Sequence, residues 1–239
     1  MRISQFYYLP LPLPFFSILI GIFIVLIVIL QVRAISFAYT SLGVSPVLAL
    51  LLLLASLIGS SLNIPIAELP GQHVVSGQIV DFYGMRYVVP VVENWPGTIV
   101  AVNVGGGIIP SVMSLYLLNR YGLWVKGAVA IAIVAAVCNR LAQPTAGLGI
   151  ALPIFVPVII TAVVALLLSR QRAAPLAYIA GSLGTLIGAD LLNLGKIDGL
   201  GAPIASIGGA GTFDGIFLVG ILAVLIAALM GGRDNRKQV

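Results

Sequence analysis

The chain has 239 residues, of which 60% are hydrophobic and 8% are charged, and its mean hydropathy is +1.17. Soluble domains are about half apolar and about a quarter charged, so this composition excludes a soluble globular protein and indicates an integral membrane protein in a lipid bilayer. The net charge of +5 does not indicate a nucleic-acid partner, because the basic residues lie at the ends of apolar runs and form no basic patch with interleaved aromatic residues.

Apolar runs of roughly 20 residues predict about seven membrane-spanning helices, in one integral membrane domain over residues 1–239. The fold class that we expect is therefore an all-α polytopic membrane protein. The first run is too long for the apolar region of a signal peptide and has no small-residue cleavage site after it, so we interpret it as a span. In chain order, the predicted spans are about 15–32, 44–62, 97–118, 125–141, 149–168, 175–194 and 213–230.

Residues 63–96 form one sizeable extracytoplasmic loop, in which the sequence predicts a small β-hairpin. β-Branched and aromatic residues flank the stretch DFYGMR, which places Gly84 in the turn, and Pro90 limits the second strand to an edge. Further along, LAQPTAGLGIALP is interrupted by proline and glycine. This second stretch predicts a re-entrant turn or a broken helix, which must be buried in protein or line a wet cavity.

The distribution of lysine and arginine predicts the orientation in the cell membrane. Eight of these residues fall on one side: Arg33, Arg120, Lys126, Arg170, Arg172, Arg233, Arg236 and Lys237. Four fall on the other: Arg2, Arg86, Arg140 and Lys196. Because cytoplasmic loops carry the excess of basic residues, we expect a multi-pass protein with its N-terminus outside and its C-terminus in the cytoplasm.

Two acidic residues stand out because they lie within or at the edge of apolar spans. Asp190 lies near the end of the sixth predicted span and Asp214 at the start of the seventh. An ionisable residue in the membrane is costly and marks a candidate functional site. The two spans are joined by a short glycine-rich loop, so we expect antiparallel neighbours that hold both carboxyl groups at one depth, near the outer face.

The helix ends predict different roles for the two acids. A helix C-terminus disfavours a carboxylate, whereas a helix N-terminus favours one, so protonated Asp190 could polarise a carbonyl while ionised Asp214 activates a water molecule. Both are candidate catalytic residues. Polar or glycine positions expected at the same end are candidates for substrate binding: Asn103, Gly105, Gly106, Arg140, Asn193, Gly209 and Gly211. We predict no cofactor and no metal site, since His73 and Cys138 are single.

Structural roles are the alternative for the same residues. Asp214 could cap the seventh span through free N–H groups, and Asp190 could pair with Arg140. Glycines spaced as GxxxG, at 184 and 188 and at 211 and 215, could serve close helix packing.

The motifs GTLIGADLLNL and SIGGAGTFDGIFL, with VAVNVGGGIIPSVMSLYLL upstream, resemble a domain-of-unknown-function family of small polytopic membrane proteins of archaea and bacteria. The resemblance covers the chain from about residue 60 onward and implies a class without an activity. The paired aspartates also resemble those of presenilin and signal peptide peptidase-type intramembrane aspartyl proteases. That second resemblance is partial, since the stretch before Asp214 is GTF rather than GxG and no PAL motif follows it.

Three functions remain open at this point. The leading hypothesis is an intramembrane aspartyl protease-like hydrolase, which cleaves membrane-spanning peptides and receives an unwound substrate on the outer hairpin. The first alternative is an ion- or proton-coupled transporter or channel for a small solute, which uses the same aspartates. The second alternative is a non-catalytic membrane scaffold.

Overall fold

Apolar helices dominate the architecture. The computed structural model describes residues 13–70, 79–82, 85–88, 97–145, 149–153, 155–197, 204–209 and 215–231. The α-helices in these ranges are α1 (Leu13–Ser41), α2 (Pro46–Gly59), α3 (Ile109–Tyr121), α4 (Trp124–Leu141), α5 (Phe155–Leu168), α6 (Ala173–Thr185) and α7 (Gly215–Met230).

Three helical stretches are long and apolar enough to cross a membrane, namely Ile20–Ser41, Trp124–Leu141 and Arg170–Lys196. This agrees with a membrane protein. The helices at Pro46–Gly59, Phe155–Leu168 and Val219–Met230 are apolar but shorter, so the predicted count of seven spans is not confirmed.

Short strands occur alongside the helices, so the prediction of an all-α fold is wrong in this respect. The strands are β1 (Asn63–Pro70), β2 (Ile79–Phe82), β3 (Met85–Val88), β4 (Gly97–Asn103), β5 (Gln143–Thr145), β6 (Gly149–Ala151) and β7 (Ile204–Ile207). β4 is the central strand of a three-stranded sheet; β1 pairs with it antiparallel and β7 parallel.

The predicted third span, 97–118, is not a continuous helix. Its first seven residues, GTIVAVN, form β4, and α3 begins only at Ile109. The segment is rich in β-branched residues, which favour strands, and its hydrogen bonds go to β1 and β7. Likewise, the predicted fifth span, 149–168, begins with β6, which pairs with β5 across the proline- and glycine-interrupted stretch.

The predicted hairpin is confirmed. β2 and β3 pair antiparallel from Ile79 with Val88 to Phe82 with Met85. Gly84 and Pro90 lie outside the described residues. The first eight residues of the predicted loop, Asn63–Pro70, form the strand β1.

Helices α6 and α7 run antiparallel at the centre of the bundle. A Cβ atom added at Gly181 would lie 3.1 Å from the Cα atom of Gly220, and one added at Gly231 would lie 3.5 Å from the Cβ atom of Ala173. The beginning of α6 therefore lies beside the end of α7. The bundle has two ends, which we call the sheet end, at β1, β4 and β7, and the arginine end, at the junctions α3–α4 and α5–α6.

Close packing of α6 on α4 explains one pair of glycines. A Cβ atom at Gly184 would lie 2.7 Å from that of Val134, and one at Gly188 would lie 2.7 Å from the Cα atom of Ala135. Small residues let helix backbones approach in lipid, so the packing role predicted for the GxxxG at 184 and 188 is confirmed. Gly211, of the other GxxxG, lies outside the described residues.

Candidate functional site

Helix α6 changes its hydrogen-bonding pattern where it reaches the candidate site. A π-helical turn at Leu186–Asp190 follows it, and a 3₁₀-helix at Leu191–Lys196 follows that turn. π-Turns within α-helices are often found at functional sites. Asp190 is the last residue of the π-turn, so its carboxyl group lies where the regular helix ends.

Asn193 supports this break in the helix. Its side chain is buried, and its Nδ2 donates to the carbonyl oxygens of Gly188, at 2.9 Å, and Ala189, at 3.0 Å. The Nζ of Lys196 donates to the Oδ1 of Asn193 at 2.8 Å. The amide therefore satisfies two carbonyl groups near the irregular end of the helix.

A backbone N–H group next to the three-stranded sheet binds the carboxyl group of Asp190. The backbone N–H of Gly208 donates to Oδ2 of Asp190 at 2.7 Å. Gly208 directly follows β7 with a φ of +97°, and an added Cβ atom there would lie 2.6 Å from the Cα atom of Gly107. Both the positive φ and the close approach favour glycine here, so the backbone reaches the carboxyl group without a side chain between them.

Asn103 organises the other half of the site. It ends β4, and its Oδ1 accepts from the N–H of Gly106 at 2.9 Å at the start of a second π-turn, Val104–Ile108. Its Nδ2 donates to the carbonyl oxygen of Ser60 at 2.7 Å and to Oδ1 of Asn63 at 3.1 Å. Ser206 Oγ in β7 donates to that same Asn63 oxygen at 2.6 Å.

The sheet therefore connects the two helix breaks. Asn103 at the end of β4 reaches Ser206 in β7 through Asn63, and Gly208, just after β7, reaches Asp190. Sequence analysis predicted that Asn103 and Asp190 share one end of the bundle. The structure connects them through two sets of hydrogen bonds that the backbone of β7 joins.

The glycines predicted to bind substrate lie near Asn103 and after β7 where the structure describes them. Gly105 and Gly106 are buried, and a Cβ atom at Gly105 would lie 2.8 Å from the Cα atom of Ser60. Gly209 donates its N–H to the carbonyl oxygen of Ser206 at 3.4 Å. The two predicted residues that lie outside the described ranges are Asp214 and Gly211.

Arg140 does not neutralise Asp190. It lies exposed in the last turn of α4, and within the described residues no ion pair reaches the Asp190 carboxyl group. The alternative of an Asp190–Arg140 pair is therefore wrong for this conformation. Nor does any group of three His, Cys, Asp or Glu in the described part of the chain offer a metal site.

Sequence reasoning missed Asn63, Ser206 and Gly208, because each acts through the three-stranded sheet. Asn63 lies directly opposite Asn103 in the register of β1 and β4. The available signal was the run of β-branched residues in GTIVAVN, which resembled a membrane span because its residues are also apolar. A strand at that position would have drawn attention to polar residues at its two ends.

The comparisons with known proteins decide the class. A family model described as "Protein of unknown function (DUF1614)" matches residues 57–226. The chain belongs to this DUF1614 family. The first resemblance given above is thus confirmed, and the DUF1614 region includes Asn63, Asn103, Asp190 and Asp214. No curated protein and no solved structure matches the chain significantly, so the second resemblance, to intramembrane aspartyl proteases, gains no support from these comparisons.

Proposed function

We propose that this DUF1614 protein is a membrane hydrolase that cleaves peptide bonds of membrane-spanning segments, with Asp190 and Asp214 as its acid–base pair. The observation that carries the proposal is the placement of the Asp190 carboxyl group. It lies at the end of a largely buried apolar helix, has no cationic partner among the described residues, and accepts one hydrogen bond from the Gly208 backbone. Such a carboxyl group is costly to keep unless it has a function.

The packing of α6 on α7 supports Asp214 as the second acid. From the close contact of Gly181 with Gly220, Asp190 lies toward the C-terminus of α6 and Asp214 precedes the first residue of α7. Because the two helices run antiparallel, the end of α6 lies beside the start of α7, and we therefore pair Asp190 with the acid that immediately precedes Gly215 in the sequence.

The edge of the sheet supports a peptide as the substrate. β7 pairs with β4 on one side, and no described strand pairs with its other side. Edge strands bind extended peptides by adding a strand to the sheet. A substrate added there would lie beside Gly208, whose N–H binds Asp190, so an unwound membrane segment would meet the carboxyl group directly.

The proposed chemistry needs one water molecule and no cofactor. The water oxygen bonds to the carbonyl carbon as Asp214 takes a proton from the water, and Asp190 donates its own proton to the carbonyl oxygen. Breakdown of the resulting diol then breaks the C–N bond: the nitrogen leaves with the proton from Asp214, and Asp190 regains its own from a hydroxyl group.

Two measurements on the full chain test this proposal. The first is disulfide formation in the variant Asp190→Cys/Asp214→Cys, with Cys138→Ala as background. Cysteines can bridge only when their Cα atoms lie within about 7 Å, so we expect rapid oxidative cross-linking. The matched control is Leu192→Cys/Asp214→Cys, since Leu192 is exposed two residues further along; it should cross-link much more slowly. If the test variant does not cross-link, or cross-links no faster than the control variant, Asp190 and Asp214 do not form a pair.

The second measurement is cleavage of reporter membrane helices in proteoliposomes. We expect Asp190→Asn and Asp214→Asn each to lower the cleavage rate at least about 100-fold, as loss of a general acid or base does, while Glu68→Gln, exposed in β1, leaves it unchanged. Cleavage that persists in both variants would overturn the proposed roles.

A proton- or cation-coupled transporter is the second candidate, and the helix break at Asp190 favours it. Interrupted helices expose backbone groups to solutes in many transporters, and here the interruption carries a carboxyl group without a cationic partner in the described chain. Solute-driven proton or cation flux into proteoliposomes, lost in Asp190→Asn and accompanied by no peptide cleavage, would select this function over hydrolysis. A scaffold would show neither activity.

A further inference from the structure

Two arginines share one aromatic ring at the arginine end of the bundle. The guanidinium carbon of Arg120, in the last turn of α3, and that of Arg172, in the α5–α6 junction, each lie 5.7 Å from the ring centroid of Tyr121. The two cations are therefore at most twice that distance apart. Cation–π contacts of this kind attract each arginine to the ring, but they do not neutralise either charge.

Further contacts fix the positions of both side chains. Arg172 Nη1 donates to the carbonyl oxygen of Tyr121, and Arg120 Nη1 donates to the hydroxyl group of Tyr116 at 2.5 Å. The hydroxyl group of Tyr121 donates to the carbonyl oxygen of Leu42 at 2.9 Å. The junctions α1–α2, α3–α4 and α5–α6 therefore meet at Tyr121. Each guanidinium has five N–H donors, of which these contacts use one.

No acidic side chain in the described part of the chain balances these charges. The acids with described side chains are Glu68, in β1, and Asp190, at the break in α6, and neither of them pairs with Arg120 or Arg172. Both arginines are exposed. Two neighbouring cations with free donors, held in place and without a carboxylate among the described side chains, present the charge pattern that binds a phosphate group.

Apolar side chains beside the arginines indicate that the phosphate belongs to a lipid. Trp124 and Val125, at the start of α4, are 54% and 79% exposed, and Leu167, near the end of α5, is 81% exposed. Trp124 and Val125 follow Arg120 by four and five residues, and Leu167 precedes Arg172 by five. An acyl chain can cover these surfaces while its headgroup meets the arginines, as at basic sites between membrane helices.

We propose that Arg120, Arg172 and Tyr121 form a binding site for the phosphate group of an anionic phospholipid. The site lies at the opposite end of α3 and α6 from Asn103 and Asp190. It therefore does not depend on the proposed hydrolase function, and its ligand is retained whether or not the protein cleaves peptides.

The test is lipid retention by the purified full chain in detergent, measured by native mass spectrometry. The probes are phosphatidylglycerol and phosphatidylcholine with identical acyl chains. We expect the wild-type chain to retain phosphatidylglycerol preferentially. Arg120→Gln/Arg172→Gln should bind it about tenfold or more weakly, because charge-assisted hydrogen bonds are lost. Arg172→Gln should show part of this loss, whereas its matched control Arg140→Gln, exposed at the end of α4, should bind like wild type.

A variant that keeps both charges separates binding from folding. Arg120→Lys/Arg172→Lys should retain the preference for phosphatidylglycerol, since lysine binds phosphate as a point charge. Equal binding of the two lipids to the wild-type chain, or unchanged binding in the Gln double variant, overturns the proposal. So does equal protection of the chain against thermal unfolding by inorganic phosphate at the same concentration, because the site would then hold a free anion rather than a lipid.

Discussion

At the scale of single residues, the glycines of α6 carry the most specific packing information. The spacing of Gly184 and Gly188 is visible in the sequence and correctly predicts close helix contact. Gly107 and Gly208, which belong to distant segments, approach each other only because β4 and β7 are neighbours. A local pattern therefore reveals contacts along one helix face, whereas a contact between two loops requires knowledge of the sheet.

Gly188→Ala should destabilise the fold. The added methyl group would lie 2.7 Å from the Cα atom of Ala135 and closer still to its carbonyl oxygen, and a backbone cannot move aside as a flexible side chain can. Overpacking of this kind costs about 1–3 kcal/mol, so we expect a lower midpoint of thermal unfolding in detergent. Gly195→Ala is the control, since no atom lies within 4 Å of its added Cβ atom, and it should change stability by no more than about 0.5 kcal/mol. Equal stability of the two variants would contradict the close α4–α6 contact.

At the scale of secondary-structure elements, apolarity predicted the helices well and concealed the strands. The predicted fourth span, 125–141, agrees with α4 within one residue at its start, because its run is long and uninterrupted. β4 is equally apolar but short, and its partners β1 and β7 are remote in sequence, so its β-branched residues alone did not distinguish it from the start of a membrane span. The same long-range pairing explains why Asn103 and Asp190 were expected at one end but their connecting residues were not.

The irregular end of α6 depends on Asn193, and this dependence can be measured. Asn193→Ala removes the donor to the carbonyl oxygens of Gly188 and Ala189 and the acceptor for Lys196. At about 1 kcal/mol for each lost hydrogen bond, we expect a loss of roughly 2–3 kcal/mol in stability, together with faster amide hydrogen exchange over residues 186–196. Leu192→Ala, at an exposed neighbouring position, should leave both unchanged. Slow exchange that persists in Asn193→Ala would show that the break holds without this side chain.

At the scale of the whole molecule, the two ends of the bundle differ in charge. The sheet end carries Asp190, the hydrogen-bonded asparagines and two exposed cations, Arg140 and Lys196. The arginine end carries four exposed cations among the described residues, namely Arg120, Lys126, Arg170 and Arg172. Helix α1 contributes little to either end over much of its length, because its apolar side chains from Ile20 to Leu30 are largely exposed. Such a helix suits contact with lipid on most sides. The charge difference predicts that the arginine end faces the cytoplasm.

Labelling of single cysteines in intact cells tests this orientation. Cys138, which is fully buried, is first replaced by alanine so that each variant carries one thiol. Ser61→Cys lies exposed beside β1 at the sheet end, and Asn119→Cys lies exposed in the last turn of α3 at the arginine end. Neither substitution changes the count of basic residues that sets the orientation. A membrane-impermeant maleimide should label Ser61→Cys directly, but Asn119→Cys only after the cells are permeabilised. The reverse pattern would place the arginines outside and remove the charge argument, whereas labelling of both from one side would show that α3 does not carry the chain across the membrane.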